Sequence, residues 1–168
     1  MSYPFLNNID KNYNYKKMVI NIDLAKMSDV YNIRECNKKC LPIFYNINDY
    51  KKFISNDNYF IIVSKDHNEI AGYIMGIYNN DDDNLHIVSF AIDKLYRRRK
   101  IGTKLMDYII YCTSNKFKDI KNITLNAMET NDAANIFYQK YGFKQFKLYK
   151  DYYSINSNAI AYIKNIEK

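Results

Sequence analysis

Metal-binding residues are the first thing this sequence is short of. Its 168 residues hold three cysteines, Cys36, Cys40 and Cys112, and two histidines, His67 and His86. No two cysteines form a C-x-x-C pair, and neither histidine lies at a spacing that completes a zinc site. No metal is expected, and the thiols are expected to be reduced. Long apolar runs are also missing: nothing approaches the roughly 18 consecutive apolar residues of a membrane span. The opening segment MSYPFLNNIDKNYNYKK lacks the apolar core of a signal peptide. There is no internal repeat, second domain or long linker. These absences lead to the expectation of one soluble, cytoplasmic domain without a membrane partner.

What is present in excess is positive charge, 25 Lys and Arg against 18 Asp and Glu, a net +7. Such a balance favours polyanionic surroundings: a nucleotide cofactor, an acidic substrate or ribosomal RNA. The abundance of Asn, Lys, Ile and Tyr has the look of AT-rich coding, so isolated lysines and tyrosines carry little functional weight.

Periodicity assigns most of the chain. Residues 1–17 have no period and read as a flexible extension, leaving 18–168 as the folded domain. MVINIDLA alternates as a strand. Ser28 is placed to cap a helix running to about Lys39, which must stop before Pro42. LPIFYNIND is apolar where a surface loop should be polar, and Asn48 is a plausible cap for the short helix after it. NYFIIVSKD and EIAGYIMGIYN read as strands joined by a tight turn that contains His67. The acidic loop from Asn79 to Asn84 leads into the strand LHIVSFAID. A long helix to about Phe117, the strand NITLNAM, a helix capped by Asn131 and ended by Gly142, and two closing strands complete an α/β chain.

YRRRKIGTKLMDYIIY, from Tyr96 to Tyr111, joins a strand to a helix through a strongly basic turn. The first turn of a helix offers unpaired N–H groups and the positive end of a dipole, and Arg97, Arg98, Arg99 and Lys100 add four charges. A pyrophosphate suits such a place, and Gly102 permits close approach of the backbone. A solvated basic turn before a core helix has the same local pattern.

Arg97-Arg98-Arg99-Lys100-Ile101-Gly102 resembles the acetyl-coenzyme A loop of the GNAT acetyltransferase superfamily, Q/R-x-x-G-x-G/A. It departs from that pattern at Lys100, which stands where the family has its first glycine. The resemblance covers roughly residues 18–166. It implies the GNAT fold, a mixed sheet of about seven strands flanked by about four helices. NDAANIFYQKYGF is similar to a segment of protein N-terminal acetyltransferases. The stretch around Leu41-Pro42-Ile43, the pair Tyr152-Tyr153 and YRRxxIGTKxL resemble most closely the catalytic subunit of the N-terminal acetyltransferase E complex.

That resemblance implies acetyl-CoA as cosubstrate, held by the backbone of Phe90, Ala91 and Ile92, by Arg97 to Thr103 including Ile101, and by Asn131 and Ala134 of the later helix. It implies that Tyr138 lies near the thioester sulfur and protonates the departing thiolate. A tyrosine one position after Phe137 in a helix is equally an ordinary core residue. Residue by residue, His86 falls where the family has a catalytic tyrosine, and Asn126 falls where it has a histidine. Only His86 can then be a base near neutral pH, while Asn126 can orient a water. A strand-edge histidine facing solvent is the plain alternative. Leu41, Pro42, Ile43, Tyr45 and Val88 would wall the first side chain of a Met-leading peptide, and Tyr152 and Tyr153 would hold its backbone. LPIF as a core plug and the tyrosines as hairpin packing is the competing reading.

The implied partner is a peptide or protein N-terminus, with a ribosome-anchoring auxiliary subunit as a further one and nucleic acid met only indirectly at the ribosome. Two other functions fit the same residues. A GNAT acting on lysine side chains or polyamines would want carboxylates such as Asp81 to Asp83. A catalytically weak interaction subunit would explain Asn126.

Overall fold

A computed structural model of the chain describes residues 19–118 and 120–166. The extension expected over residues 1–17 lies outside them. Seven strands form one sheet: β1 (Ile20–Leu24), β2 (Tyr59–Asp66), β3 (Glu69–Asn79), β4 (Asn84–Ile92), β5 (Asn122–Met128), β6 (Lys144–Ser154) and β7 (Ser157–Asn165). Their spatial order is β1-β2-β3-β4-β5-β7-β6, antiparallel throughout except for the parallel pair β4–β5. Four helices flank it: α1 (Val30–Cys40), α2 (Ile47–Ile54), α3 (Ile101–Lys116) and α4 (Asp132–Lys140). The expected order and the mixed α/β class are both met.

Strand alternation sends side chains to two separate cores. Ile62, Ile74, Leu85 and Ile123 face α3, whose Leu105, Met106 and Ile109 are fully buried against them. Ile61, Val63, Tyr73 and Met75 face the other way, onto Val30 and Ile33 of α1 and Tyr50 of α2.

Two capping assignments change. Ser28 is inside a short 3₁₀ turn, Met27–Asp29, and caps nothing. The Asp29 carboxylate accepts the Lys26 N–H at 2.8 Å and pairs with Lys65 at 2.6 Å. For α2 the cap is Asn46 rather than Asn48. The Asn46 side chain accepts the Asp49 N–H at 3.0 Å while Asp49 accepts the Asn46 N–H at 3.3 Å, the reciprocal pair of a capping box. Asn131 does cap α4, accepting from Ala134 at 3.2 Å, and Gly142 follows the helix at φ +98°.

The register of β4 positions everything that follows. Met75 pairs with Ser89 and Gly76 with Ile87, so Val88 is an extra residue, a β-bulge. The bulge reverses the faces of β4. Leu85 and Ile87 point to the α3 core, whereas Ala91 and Val88 belong to the α1 core. Past the bulge, Gly72 lies opposite Ile92. A Cβ there would sit 2.8 Å from the Ala91 carbonyl oxygen and 2.6 Å from Ile92 Cδ1.

The backbone contact at Gly72 cannot be relieved by a rotamer change. Gly72→Ala is expected to lower stability by about 1–3 kcal/mol, the usual cost of overpacking. A denaturant midpoint equal to that of the parent chain would refute this account of the β3–β4 contact.

Candidate active site

β4 and β5 pair in parallel only from Asn84↔Asn122 to Ile87↔Leu125. Beyond that point β4 continues to Ile92 and β5 to Met128 without pairing to each other, past the bulge at Val88. The strands therefore splay into a slot, and among the described residues no strand pairs with the β5-facing edge of β4 from Val88 to Ile92. Peptide groups left unpaired inside a sheet are costly unless something else reaches them. An extended chain bearing amides fits that edge.

At the far end of β4 the chain makes the 3₁₀ turn Lys94–Tyr96 and enters α3 at Ile101. Arg98 and Lys100 both have positive φ, 64° and 61°. Lys100 thus takes up the left-handed backbone that a glycine would adopt more readily. Left-handed residues in such a turn curl successive N–H groups into an anion-binding nest. Ile101, Gly102 and Thr103 head the helix with no intrahelical acceptor, and the first such bond runs from Lys104 N–H to Lys100 O at 3.1 Å. Arg97, Arg98, Arg99 and Lys100 are all exposed, and Arg97 Nε donates to the Ile92 carbonyl at 3.1 Å, tying the loop to the strand end. Gly102 faces Phe90 and Phe137 at ordinary contact distances for a Cβ, so it is no steric necessity within the protein. A pyrophosphate fits this cradle.

His86 stands on β4 just before the slot opens, on the face of α1 and α2, half-buried. Its Nδ1 lies 2.9 Å from Thr124 Oγ1, and burial pushes its imidazole below the ordinary histidine value. It borders two open cavities. One holds about 590 Å³ and is lined by Asn58, Ile77 and Asp81 among others; the second, about 370 Å³, is lined by Thr124, Asn126, Phe146 and Tyr149 among others. His86 is therefore a cavity-lining residue rather than a solvated strand edge. His67, as expected, sits in the β2–β3 turn at φ 57°.

Asn126 points to the same face from β5. Its Nδ2 donates to the Tyr152 hydroxyl at 3.1 Å, and the Tyr153 hydroxyl donates to the Asn126 carbonyl at 3.3 Å. The hairpin tyrosines are thereby fastened to β5 at the mouth of the slot. Tyr152 remains half-exposed.

Tyr138 approaches from the opposite side. It is buried among Phe90, Phe137, Phe143 and Tyr162. Its phenol has no hydrogen-bond partner among the described residues. Burial, with Tyr153 and Tyr162 adding to it, holds that phenol protonated far above the usual tyrosine range. A buried phenol that keeps its proton can still act as a proton donor to a group that reaches it.

Leu41 to Asn46 is not a core plug. Leu41 and Tyr45 pack on the α1 core while Pro42, Ile43 and Phe44 stay exposed. Tyr45 stacks edgewise on Tyr50 and Phe53 at centroid distances of 5.8 and 5.3 Å. Burial raises its phenol pKa, with Tyr59 and then Tyr152 contributing. Of the acidic loop, Asp83 is committed to Lys121 at 2.7 Å and to Tyr78 at 3.0 Å. Asp81 and Asp82 are exposed, one beside each cavity.

Two groups at the site escape a reading of the sequence. Thr124 lies against the His86 ring and Asn84 bonds Thr124 in turn, and only the β4–β5 register brings Thr124 there. A buried polar cluster under the bulge is equally silent. Asn37 Nδ2 donates to the Tyr73 hydroxyl, Tyr73 and Ser89 hydroxyls lie 2.6 Å apart, and Tyr50 is 3.5 Å from Tyr73. Asn135 Nδ2 is shared between the carbonyls of Met128 and Glu129, at 3.2 and 3.0 Å, which moors α4 to the end of β5.

Comparison with known proteins identifies the family of this fold. Residues 27–143 match the acetyltransferase (GNAT) family. An N-alpha-acetyltransferase of Sulfolobus acidocaldarius is 26% identical over 154 residues, covering 86% of this chain and 91% of that protein. The N-terminal acetyltransferase A complex catalytic subunit NAA10 of Arabidopsis thaliana is 25% identical over 147 residues, covering 85% and 76%. The crystal structure of Ard1 from Thermoplasma volcanium superposes with a TM-score of 0.79 at 22% identity, covering 89% of this chain and 99% of that one. The family match spans well over half of the sequence, and the chain belongs to the acetyltransferase (GNAT) family as an N-acetyltransferase that takes its acetyl group from acetyl-CoA.

Proposed function

We propose that this enzyme acetylates the α-amino group of protein N-termini, those beginning with Met in particular. One observation carries the reading. A cluster without formal charge, His86, Asn126, Tyr152 and Tyr153, stands where the β4–β5 ladder ends, with the carboxylates of Asp81 and Asp82 only at the exposed cavity rims. An uncharged, half-buried site favours a neutral amine over a cation. An α-amino group, with a pKa of about 7.7–8.0, loses its proton near pH 7 for about 1 kcal/mol, whereas a lysine near 10.4 costs about 4–5 kcal/mol. The names of the relatives point the same way.

In this reading Leu41, Ile43, Tyr45 and Val88 receive the first side chain, with Pro42 shaping the loop. Tyr152 and Tyr153 hold the peptide backbone, and Asn126 keeps them in place. Phe90, Ala91 and Ile92 present their free backbone edge to the amides of the donor. Arg97 to Thr103 cradle its pyrophosphate, with Asn131 and Ala134 at the head of α4 nearby. The donor supplies an acetyl thioester. His86 takes the proton that the amine sheds as it bonds to the acetyl carbon, and Tyr138 gives its proton to the sulfur as the C–S bond breaks. The lowered pKa of His86 leaves it neutral, hence able to accept, at pH 7. Unpaired cysteines and the net charge of +7 suit a cytoplasmic setting and an auxiliary subunit that anchors the enzyme at the ribosome.

A second reading, acetylation of lysines or polyamines, draws support from Asp81 and Asp82 beside the two cavities. Labelled acetyl-CoA offered with Met-leading peptides, lysine peptides and polyamines separates the two. Label is expected on Met-leading peptides; label on polyamines alone overturns the proposal. Coenzyme A at about 100-fold excess over its Kd is expected to stabilise the fold by about 2.7 kcal/mol. No change in Tm would remove the pyrophosphate role from the nest at Arg98–Thr103.

The roles of the two proton-transfer residues are tested together. His86→Ala is expected to lower kcat by about 10²–10⁴ with coenzyme A binding intact, and Tyr138→Phe to slow the reaction within the same range. The acidic limb of the wild-type rate profile should fall below the ordinary histidine value of about 6.5 and vanish in His86→Ala. A His86→Ala enzyme with a near-normal rate and unchanged profile would exclude His86 as the base.

A further inference from the structure

Thr124 and Asn84 take no part in the chemistry described so far, yet they control what His86 can do. Thr124 is the residue directly opposite His86 in the parallel register of β4 and β5. Its Oγ1 lies 2.9 Å from His86 Nδ1 and 2.8 Å from Asn84 Nδ2. Since Nδ1 is occupied by Thr124, Nε2 is the ring nitrogen left to meet an amine or a water.

A hydroxyl brings one proton and two lone pairs. If Thr124 gave its proton to Nδ1, the ring proton would sit on Nε2, and neutral His86 would have nothing with which to accept. A base at Nε2 requires the reverse: Nδ1–H donating to Oγ1, with the Thr124 proton sent elsewhere. Asn84 is the residue placed to take it. With Nδ2 toward Thr124, the amide oxygen of Asn84 is buried without a partner. The oxygen and nitrogen of an amide exchange places by a half turn, a choice set by the hydrogen-bond network. Turned over, the Asn84 oxygen accepts the Thr124 hydroxyl proton, and the Thr124 lone pair is free for Nδ1–H.

From this chain of contacts we infer that Asn84 and Thr124 are positioning residues that hold His86 as the Nδ1–H tautomer, leaving Nε2 as the basic atom at the slot. The inference rests on the reading of His86 as the base, and it extends that reading to two residues that touch neither substrate. The polarity runs in one direction, from His86 through Thr124 to Asn84. Each hydrogen bond fixes the next.

The tautomer is read directly by ¹⁵N NMR of the imidazole. His67 occupies a turn at φ 57°, a conformation asparagine accepts well, so His67→Asn leaves His86 as the single histidine. At about pH 8, where a histidine of this kind is neutral, the proton is expected on Nδ1 in that parent. Thr124→Val, nearly isosteric and well suited to a strand, should move it to Nε2 and lower kcat/KM by about 10–100-fold, the range for losing a partner that orients an imidazole. Thr124→Ser should restore both the tautomer and the rate. A proton on Nε2 in the parent, or a tautomer indifferent to Thr124→Val, overturns the inference. A parent with Nδ1–H whose His86→Ala variant keeps its rate would instead overturn the choice of base and leave the tautomer assignment standing.

Discussion

The extra residue at Val88 is the constraint on which the rest of the structure depends. A regular β4 would pair with β5 along its whole length, and the sheet would be closed. With the bulge, the parallel ladder ends at Ile87↔Leu125 and the remaining strand edge is left open. The same bulge reverses the faces of β4, so that Phe90 and Ile92 turn toward the α3 side while Ala91 joins the α1 core. Open backbone and a change of face both follow from one inserted residue.

Such a bulge needs support, because unpaired peptide groups in a sheet are unfavourable. The support comes from below. Ser89, next to Val88, joins a buried polar chain through Tyr73 to Asn37 and Tyr50, which links β4 and β3 to both α1 and α2. A hydrogen-bonded network of this kind is directional where apolar packing is not, and it specifies one arrangement of strand and helix. Asn37 leads through the end of α1 to Leu41, so the apolar loop and the open strand edge share one rigid mount.

Electrostatics divides the site along the slot. The far end of β4 carries the exposed cations of Arg97 to Lys100 around a left-handed nest, suited to phosphate. Near the β4–β5 junction the half-buried and buried titratable groups are held neutral: burial lowers the pKa of His86 and raises those of Tyr138 and Tyr153, while Asp81 and Asp82 stay exposed at the cavity rims. Under the proposed function the charge would bind the donor at one end, and at the other desolvation would keep a base unprotonated and an acid protonated, the pairing that amine acylation requires.

The sequence by itself determined the order of the elements, because hydrophobic periodicity and turn residues act locally. It also determined the basic cradle, since Arg97 to Gly102 are contiguous and sit between a strand and a helix. Capping is legible at Asn131. It is not legible at Ser28, beside Asp29, or at Asn48, two residues after Asn46, because neighbouring side chains are equally able chemically and only the backbone path decides. Tyr138 was visible as a residue of interest, but its burial among Phe90, Phe143 and Tyr162 depends on packing between separate elements. The bulge, the slot, the Asn37–Tyr73–Ser89 chain and the grouping of Asn84 and Thr124 around His86 were decided by the tertiary structure alone. Each depends on strand register or on helix–sheet packing between residues 16 to 52 positions apart. Pairing of that kind is set by the sum of all contacts in the sheet, and no local pattern in the chain encodes it.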